Sequence, residues 1–189
     1  MTDLLRGLSI FLVGMMGTGK TTVGQILAKQ LNYRFFDTDV LIERVTQQSI
    51  SEIFAEQGED EFRDIESQIL MQVCAYTKSV VATGGGSVIH RMNWSYLRHG
   101  LVIWLDVPIN VLIERLSTDI TRPLLQESDL KHKLETLMEQ RRSLYAEADL
   151  HISIENAQTP EEIVNQIVTT LPTVILPKIE SYLDFSAEN

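Results

Sequence analysis

"LSIFLVGMMGTGKT", residues 8–21, decides the fold. Its first half, "LSIFLV" (8–13), is a short apolar run ending at a glycine, the pattern of a strand buried on both faces. Its second half, "GMMGTGKT" (14–21), satisfies G-x-x-x-x-G-K-[ST] in full, directly after that strand and opening a helical segment from about Lys20 to Leu31. Gly14, Gly17 and Gly19 let the backbone turn tightly, so that successive N–H groups aim at phosphate oxygens. The helix N-terminus adds its partial positive charge. In such a loop Lys20 reaches the β- and γ-phosphates, and the Thr21 hydroxyl joins a Mg²⁺ shell. A plain glycine-rich turn has no need of strand, spacing, lysine and threonine together. Gly17, Thr18, Gly19, Lys20, Thr21 and Thr22 are therefore the expected nucleoside triphosphate site.

Outward from this stretch, further strands are predicted at 33–36, "SVVAT" (79–83), "LVIWL" (101–105) and, more weakly, "LHISI" (150–154). Helices fill the gaps. One from about Glu59 to Tyr76 carries Phe62, Ile65, Ile69 and Val73 on one face, and another over roughly 127–147 carries Leu130, Leu134, Leu137 and Leu144. The last begins at "TPEEI", with Thr159 as N-cap, Pro160 at the first helical position and Glu162 closing a capping box. Apolar strands alternating with helices predict an α/β domain over 1–172, its parallel sheet covered on both sides and its ligands beyond the carboxyl ends of the strands. After Pro172 the pattern dissolves, so 173–189 reads as a tail outside the core.

The chain has 189 residues, enough for one full hydrophobic core, and 44% hydrophobic with 22% charged residues is an ordinary globular composition. A net charge of −10 disfavours nucleic acid and anionic membranes as partners, and it means that an anionic substrate needs a local group of cations. The one cysteine, Cys74, excludes an intramolecular disulfide, fits a reducing compartment and, in an apolar helical stretch, reads as a buried thiol. With no signal-peptide layout and no apolar run of membrane-spanning length, the expected location is the cytosol, or a plastid stroma after removal of a transit peptide. No N-K-x-D element marks a GTPase, and the spacing suits a small kinase of a metabolite or nucleotide.

Candidate acceptor residues follow. In "YRFFDTD" (33–39), Asp37 and Asp39 point the same way if the chain stays extended. Asp37, nearer the phosphate loop, is the expected metal aspartate, with Asp106 at the end of "LVIWLD" as its rival. Asp39 faces the acceptor, its alternative role being the cap of the helix "VLIERV". Arg141 falls inside a leucine stripe and so needs an anionic or hydrogen-bonding partner, either a ligand or a structural ion pair. Arg63 and Glu66 lie three apart on one helix, as a structural pair or as a rigid holder for a carboxylate. "VATGGGSV" (81–88) is either a flexible loop or a bare backbone that a ligand approaches closely. "STDITRPLLQESD" (117–129) is either an inert surface loop or a lid over about 117–127 that brings Arg122 onto the phosphates. The histidines at 90, 99, 132 and 151 have no metal-ligand spacing.

Taken together, "GMMGTGKTT", "FFDTD", "GEDEFRDIE", "TGGG", "TRPLL" and "RRSLYAEAD" closely resemble the shikimate kinases in order and spacing, across about residues 8–171. The resemblance implies transfer of the ATP γ-phosphate to the 3-hydroxyl of shikimate, a step of chorismate and aromatic amino acid biosynthesis. It implies a P-loop fold with a five-stranded parallel sheet in order 2-3-1-4-5, flanked by helices and carrying a lid, in a monomer. Shikimate would be held by Asp39, Arg63, Gly84, Gly85, Gly86 and Arg141. Lys20 and Arg122 would act on the transferring phosphoryl, Asp39 as base, Thr21 on Mg²⁺, Asp37 on the metal through water, and Arg115 on adenine. A gluconate-kinase-like enzyme is the nearest alternative. A non-catalytic nucleotide-binding module is a different one, against which the intact Asp39 and Arg122 argue.

Overall fold

A computed structural model describes residues 2–117, 130–155 and 158–187. Along the chain run α1 (Thr2–Leu5), β1 (Ile10–Val13), α2 (Lys20–Leu31), β2 (Arg34–Asp37), α3 (Thr38–Thr46), α4 (Ile50–Glu56) and α5 (Gly58–Cys74). Then come β3 (Ser79–Ala82), α6 (Arg91–Leu97), β4 (Leu101–Asp106), α7 (Ile109–Ser117), α8 (Leu130–Tyr145), β5 (Leu150–Ser153) and α9 (Pro160–Ala187). The five strands form one parallel sheet in the order β2-β3-β1-β4-β5.

Burial follows strand position. β1 lies between two neighbours, with Ile10 opposite Val80 on one side and Leu101 on the other, and all four of its residues are buried. The outer strand β5 alternates buried and exposed residues, which is why its sequence signal is the weakest of the five. Because the chain leaves β1 toward β2 on one side and leaves β3 toward β4 on the other, the connections from these neighbouring strands diverge, opening a crevice at their carboxyl ends. A satellite core of Ile42, Ile53, Phe62 and Ile69 ties α3, α4 and α5 into a unit beside that crevice. Ser49 and Glu52 start α4 with a capping box, and the Ser49 hydroxyl and backbone N–H, both donating to the exposed Glu52 carboxyl, hold it below its ordinary pKa.

The expected tail is not an appendage. α9 runs unbroken from Pro160 to Ala187, and Ile175 is as fully buried as Leu171 and Ile167, one and two turns before it. Lys178 Nζ donates to Asp149 Oδ2 at 2.6 Å, and the same oxygen accepts from the backbone N–H of Val102 at 2.8 Å, so the helix also fastens β4 to the start of β5. A proline inside a helix, as Pro172 is here, deletes one helical hydrogen bond and ordinarily ends the helix. Here the apolar stripe at 163, 167, 171 and 175 continues through it, and packing outweighs the lost bond. The Thr159–Glu162 capping box forms as expected, at 2.8 and 3.2 Å.

Ile175→Ala should therefore cost about 2–5 kcal/mol and lower the thermal midpoint by several degrees, measured by circular dichroism. An unchanged midpoint, there or after truncation behind Pro172, would restore the reading of the tail as an appendage.

Candidate active site

The loop after β1 leads straight into α2. Gly19 is the helix N-cap at φ 88°, a left-handed conformation that a side chain would strain, and no side chain caps the first turn. The orphan N–H groups of that turn are thus left for an anion. Lys20 is folded back over its own loop, its Nζ donating to Gly14 O at 2.9 Å and Met15 O at 2.8 Å. Thr21 Oγ1 donates to Asp37 Oδ2 at 2.6 Å, joining the first turn of α2 to the end of β2. From α7, Arg115 Nη1 donates to Gly17 O at 3.2 Å, while Leu116 fills the space beside Gly17. Gly17, Gly19, Lys20, Thr21, Thr22, Asp37, Asp39 and Gly85 line one cleft with Met16 and Thr83.

The two aspartates are not on an extended chain. β2 ends at Asp37 and α3 starts at Thr38, so the pair turns a corner. Asp37, and not Asp39, is the cap: its Oδ1 accepts from the N–H of Asp39 at 3.0 Å and of Val40 at 3.4 Å. Asp39 sits in the first turn of α3, where the helix dipole favours an anion. One carboxylate therefore has its two oxygens divided between the phosphate loop and a helix end, and the other is turned toward the second glycine loop. Asp106, the rival metal aspartate, is bound elsewhere, 3.0 Å from His151 Nε2 and 3.9 Å from Arg142.

At the end of β3 the glycine loop is crowded by the protein's own side chains. A Cβ on Gly84 would collide with Glu66 Oε1 and lie 2.9 Å from Asp39 Oδ1, and one on Gly86 would collide with the Arg63 guanidinium. The N–H of Gly84, expected as a donor to ligand, is given to Thr38 Oγ1 at 2.9 Å. Arg63 donates to Glu66 at 2.8 Å and to Glu59 at 3.0 and 3.3 Å. Burial works against its charge, but the two carboxylates more than offset this and raise its pKa. Three of its five N–H groups are engaged in these contacts, leaving one donor on each terminal nitrogen for a ligand.

Arg141 is half-buried rather than fully buried: it lies on the face of α8 that also carries Leu134, Met138 and Tyr145, where its guanidinium reaches the glycine loop at the cleft. Its Nη1 donates to Gly85 O at 3.3 Å, and Tyr145 Oη donates to the same carbonyl at 2.6 Å. Burial pushes the Tyr145 phenol up in pKa, with the neighbouring Arg141 working against it, so the hydroxyl stays a proton donor. Tyr145 stood in the quoted motif without a role, and its position four after Arg141 on a helix was the available signal. Arg122 and the lid segment 117–127 beyond Ser117 lie outside the described residues. Cys74 is half-buried and pushed up to about 12, which keeps it a thiol and no nucleophile. Among the described residues no three His, Cys, Asp or Glu side chains group as metal ligands, and no helix is long and apolar enough to cross a membrane.

A phosphate loop at the switch point of such a sheet, beside a second glycine loop that arginines of α5 and α8 reach, is the arrangement of a P-loop kinase of a small molecule. Solved structures resembling this chain include a gluconokinase from Sinorhizobium meliloti, at 23% identity over 95% of this chain and 97% of that one, with a TM-score of 0.57. That likeness extends to the fold alone. The shikimate kinase from Acinetobacter baumannii, solved in complex with shikimate, is nearer: TM-score 0.81 and 37% identity over 89% of this chain and 94% of that one. The family model described as shikimate kinase matches residues 16–172. The shikimate kinase of Rippkaea orientalis is 63% identical over 94% of this chain and 95% of its own length, and that of Nostoc punctiforme 54% over 94% and 98%. This chain belongs to the shikimate kinase family.

The cap assignment has a direct check. Asp37→Ala should lower stability by about 0.5–2 kcal/mol in urea unfolding, and Asp39→Ala by clearly less. The reverse order would return the cap to Asp39.

Proposed function

We propose that this chain transfers the γ-phosphate of ATP to the 3-hydroxyl of shikimate, giving 3-phosphoshikimate and ADP in chorismate biosynthesis. One observation carries the reading: the two glycine loops abut. A Cβ on Gly85 would stand 3.1 Å from Met16 N in the phosphate loop, while the Gly85 carbonyl carries Arg141 and Tyr145. An acid held by Arg63 and Arg141 at this loop lies next to the place where the loop after β1 would present a terminal phosphate. In a chain of net charge −10, these two arginines reverse the sign where the acid must bind.

The residues divide the work as follows. The phosphate loop from Gly17 to Thr22 cradles ATP, with Arg115 beside the adenine. Lys20 leaves its loop carbonyls for the phosphates, an exchange of one set of acceptors for a more strongly charged one. Arg63, Arg141 and the glycine loop 84–86 hold shikimate by its carboxylate and hydroxyls. Asp39 accepts a hydrogen bond from the 3-hydroxyl and orients it. The hydroxyl oxygen bonds to the γ-phosphorus as the bridging bond to ADP breaks, and the proton passes to Asp39 and then to water. Arg122, on a lid that excludes water, meets the charge on the transferring group. Thr21 and Asp37, a hard all-oxygen pair 2.6 Å apart, suit Mg²⁺, which when bound neutralises phosphate charge. We take the enzyme to be a cytoplasmic monomer acting on small molecules, a setting compatible with its single thiol and acidic surface.

A coupled ADP-release assay with shikimate, gluconate and quinate side by side tests the substrate. Turnover should require shikimate and Mg²⁺, and equal turnover with gluconate would overturn the assignment. In the same assay Asp39→Asn, which keeps the shape and loses the base, should lower kcat by about a hundredfold or more with ATP binding retained. Near-normal kcat would remove Asp39 as the base.

A further inference from the structure

Arg63 does not stand alone; it ends a buried relay. Glu66 is only 1% exposed, and both oxygens of its carboxylate are engaged. Oε2 takes Arg63 Nη1 at 2.8 Å, and Oε1 takes the Ser87 hydroxyl at 2.7 Å. Ser87 Oγ also lies 2.9 Å from Gly84 O, but a hydroxyl has one proton, and the shorter contact to a charged acceptor takes it. Ser87 is in turn fixed from α6. Its carbonyl accepts from Nδ2 of the fully buried Asn93 at 2.8 Å, and the next carbonyl, of Val88, accepts from Trp94 Nε1 at 3.1 Å.

The consequence lies in how a guanidinium meets a carboxylate. Arginine prefers to grip both oxygens of a carboxylate with its planar fork. With Oε1 occupied by Ser87, Glu66 meets Arg63 through one oxygen only. Remove the Ser87 hydroxyl and a buried oxygen is left wanting a donor, which costs more than the bond itself was worth. Arg63, already bonded to the other oxygen of the same carboxylate, can supply one. It would turn toward Glu66 and away from Gly86, over which it now lies, redirecting the two donors it has left for a ligand.

We infer that Ser87 is a positioning residue for substrate binding: through Glu66 it aims the Arg63 guanidinium at the carboxylate of the acceptor. This rests on the proposed role of Arg63 as a holder of that carboxylate. A group that binds the acid end alike in the ground and transition states affects KM and leaves kcat alone.

The test is steady-state kinetics of Ser87→Ala, Arg63→Ala and the double variant, with thermal melts of each. Ser87→Ala should raise KM for shikimate by about fivefold or more, with kcat and KM for ATP within about twofold and the melting midpoint near that of the parent. In the Arg63→Ala background the same change should move KM for shikimate by less than about twofold, since its means of action is gone. An unchanged KM in Ser87→Ala, an additive double variant, or a joint loss of kcat, ATP affinity and melting midpoint would each overturn the inference. A normal KM in Arg63→Ala would instead remove Arg63 from the substrate site, and the inference with it.

Discussion

Two parallel strands, β1 and β3, end side by side in loops whose backbones touch with almost no side chain between them. Everything at the site depends on that contact. It requires glycine at Gly85, where a Cβ would crowd Met16 N, and it brings the phosphate loop within reach of the loop on which Arg63 and Arg141 pack. The sheet order makes it possible, because β3 is the hydrogen-bonded neighbour of β1 although far from it in sequence. Phosphoryl transfer asks the protein chiefly for positioning and charge, and a backbone-to-backbone contact between rigid strand ends is a stiff way to supply the first.

Charge is supplied against the average of the molecule. Arg63 keeps its cation in a partly buried place because Glu59 and Glu66 more than compensate for the burial. The compensation is graded: Glu66 is 1% exposed and held by Ser87, whereas Glu59 is 61% exposed on its side chain. A buried partner fixes direction, and an exposed one, screened by water, is easily exchanged for the carboxylate of a ligand. The aspartates show the same division of labour. Asp37 is locked by a threonine hydroxyl and two helix N–H groups, while Asp39, one residue past Thr38, is aimed across the cleft at Gly84.

The strands and helices were legible because each rests on local chemistry. "LSIFLV", "SVVAT" and "LVIWL" are predominantly apolar, without polar alternation, because β1, β3 and β4 are covered on both faces, and the Thr159–Glu162 box announces its own helix. Misreadings arose where a local rule met a tertiary one. Asp39 was read as a possible cap because a helix start cannot be dated to one residue from propensity, and the fold begins α3 at Thr38. Beyond Pro172 the periodic pattern weakens, and the burial of Ile175 against the domain belongs to the fold and not to that pattern. Position 141 does share the packed face of α8 with Leu134, Met138 and Tyr145, but its partner is the Gly85 carbonyl, which the stripe alone does not name.

By itself, the sequence determined the phosphate loop, the alternation of strand and helix, and the set of residue types that an acid-phosphorylating kinase needs. Those features depend on neighbours within one or two turns of chain, and a motif carries such neighbours with it. Only the tertiary structure decided which partner each side chain serves: Thr21 with Asp37, Thr38 with Gly84, Ser87 with Glu66, Arg141 and Tyr145 on one carbonyl of Gly85. These pairs are 16 to 60 residues apart in sequence. A hydrogen bond needs its donor and acceptor within about 3 Å and well aligned, and that condition is met by the packing of the sheet and its helices, which no local pattern encodes.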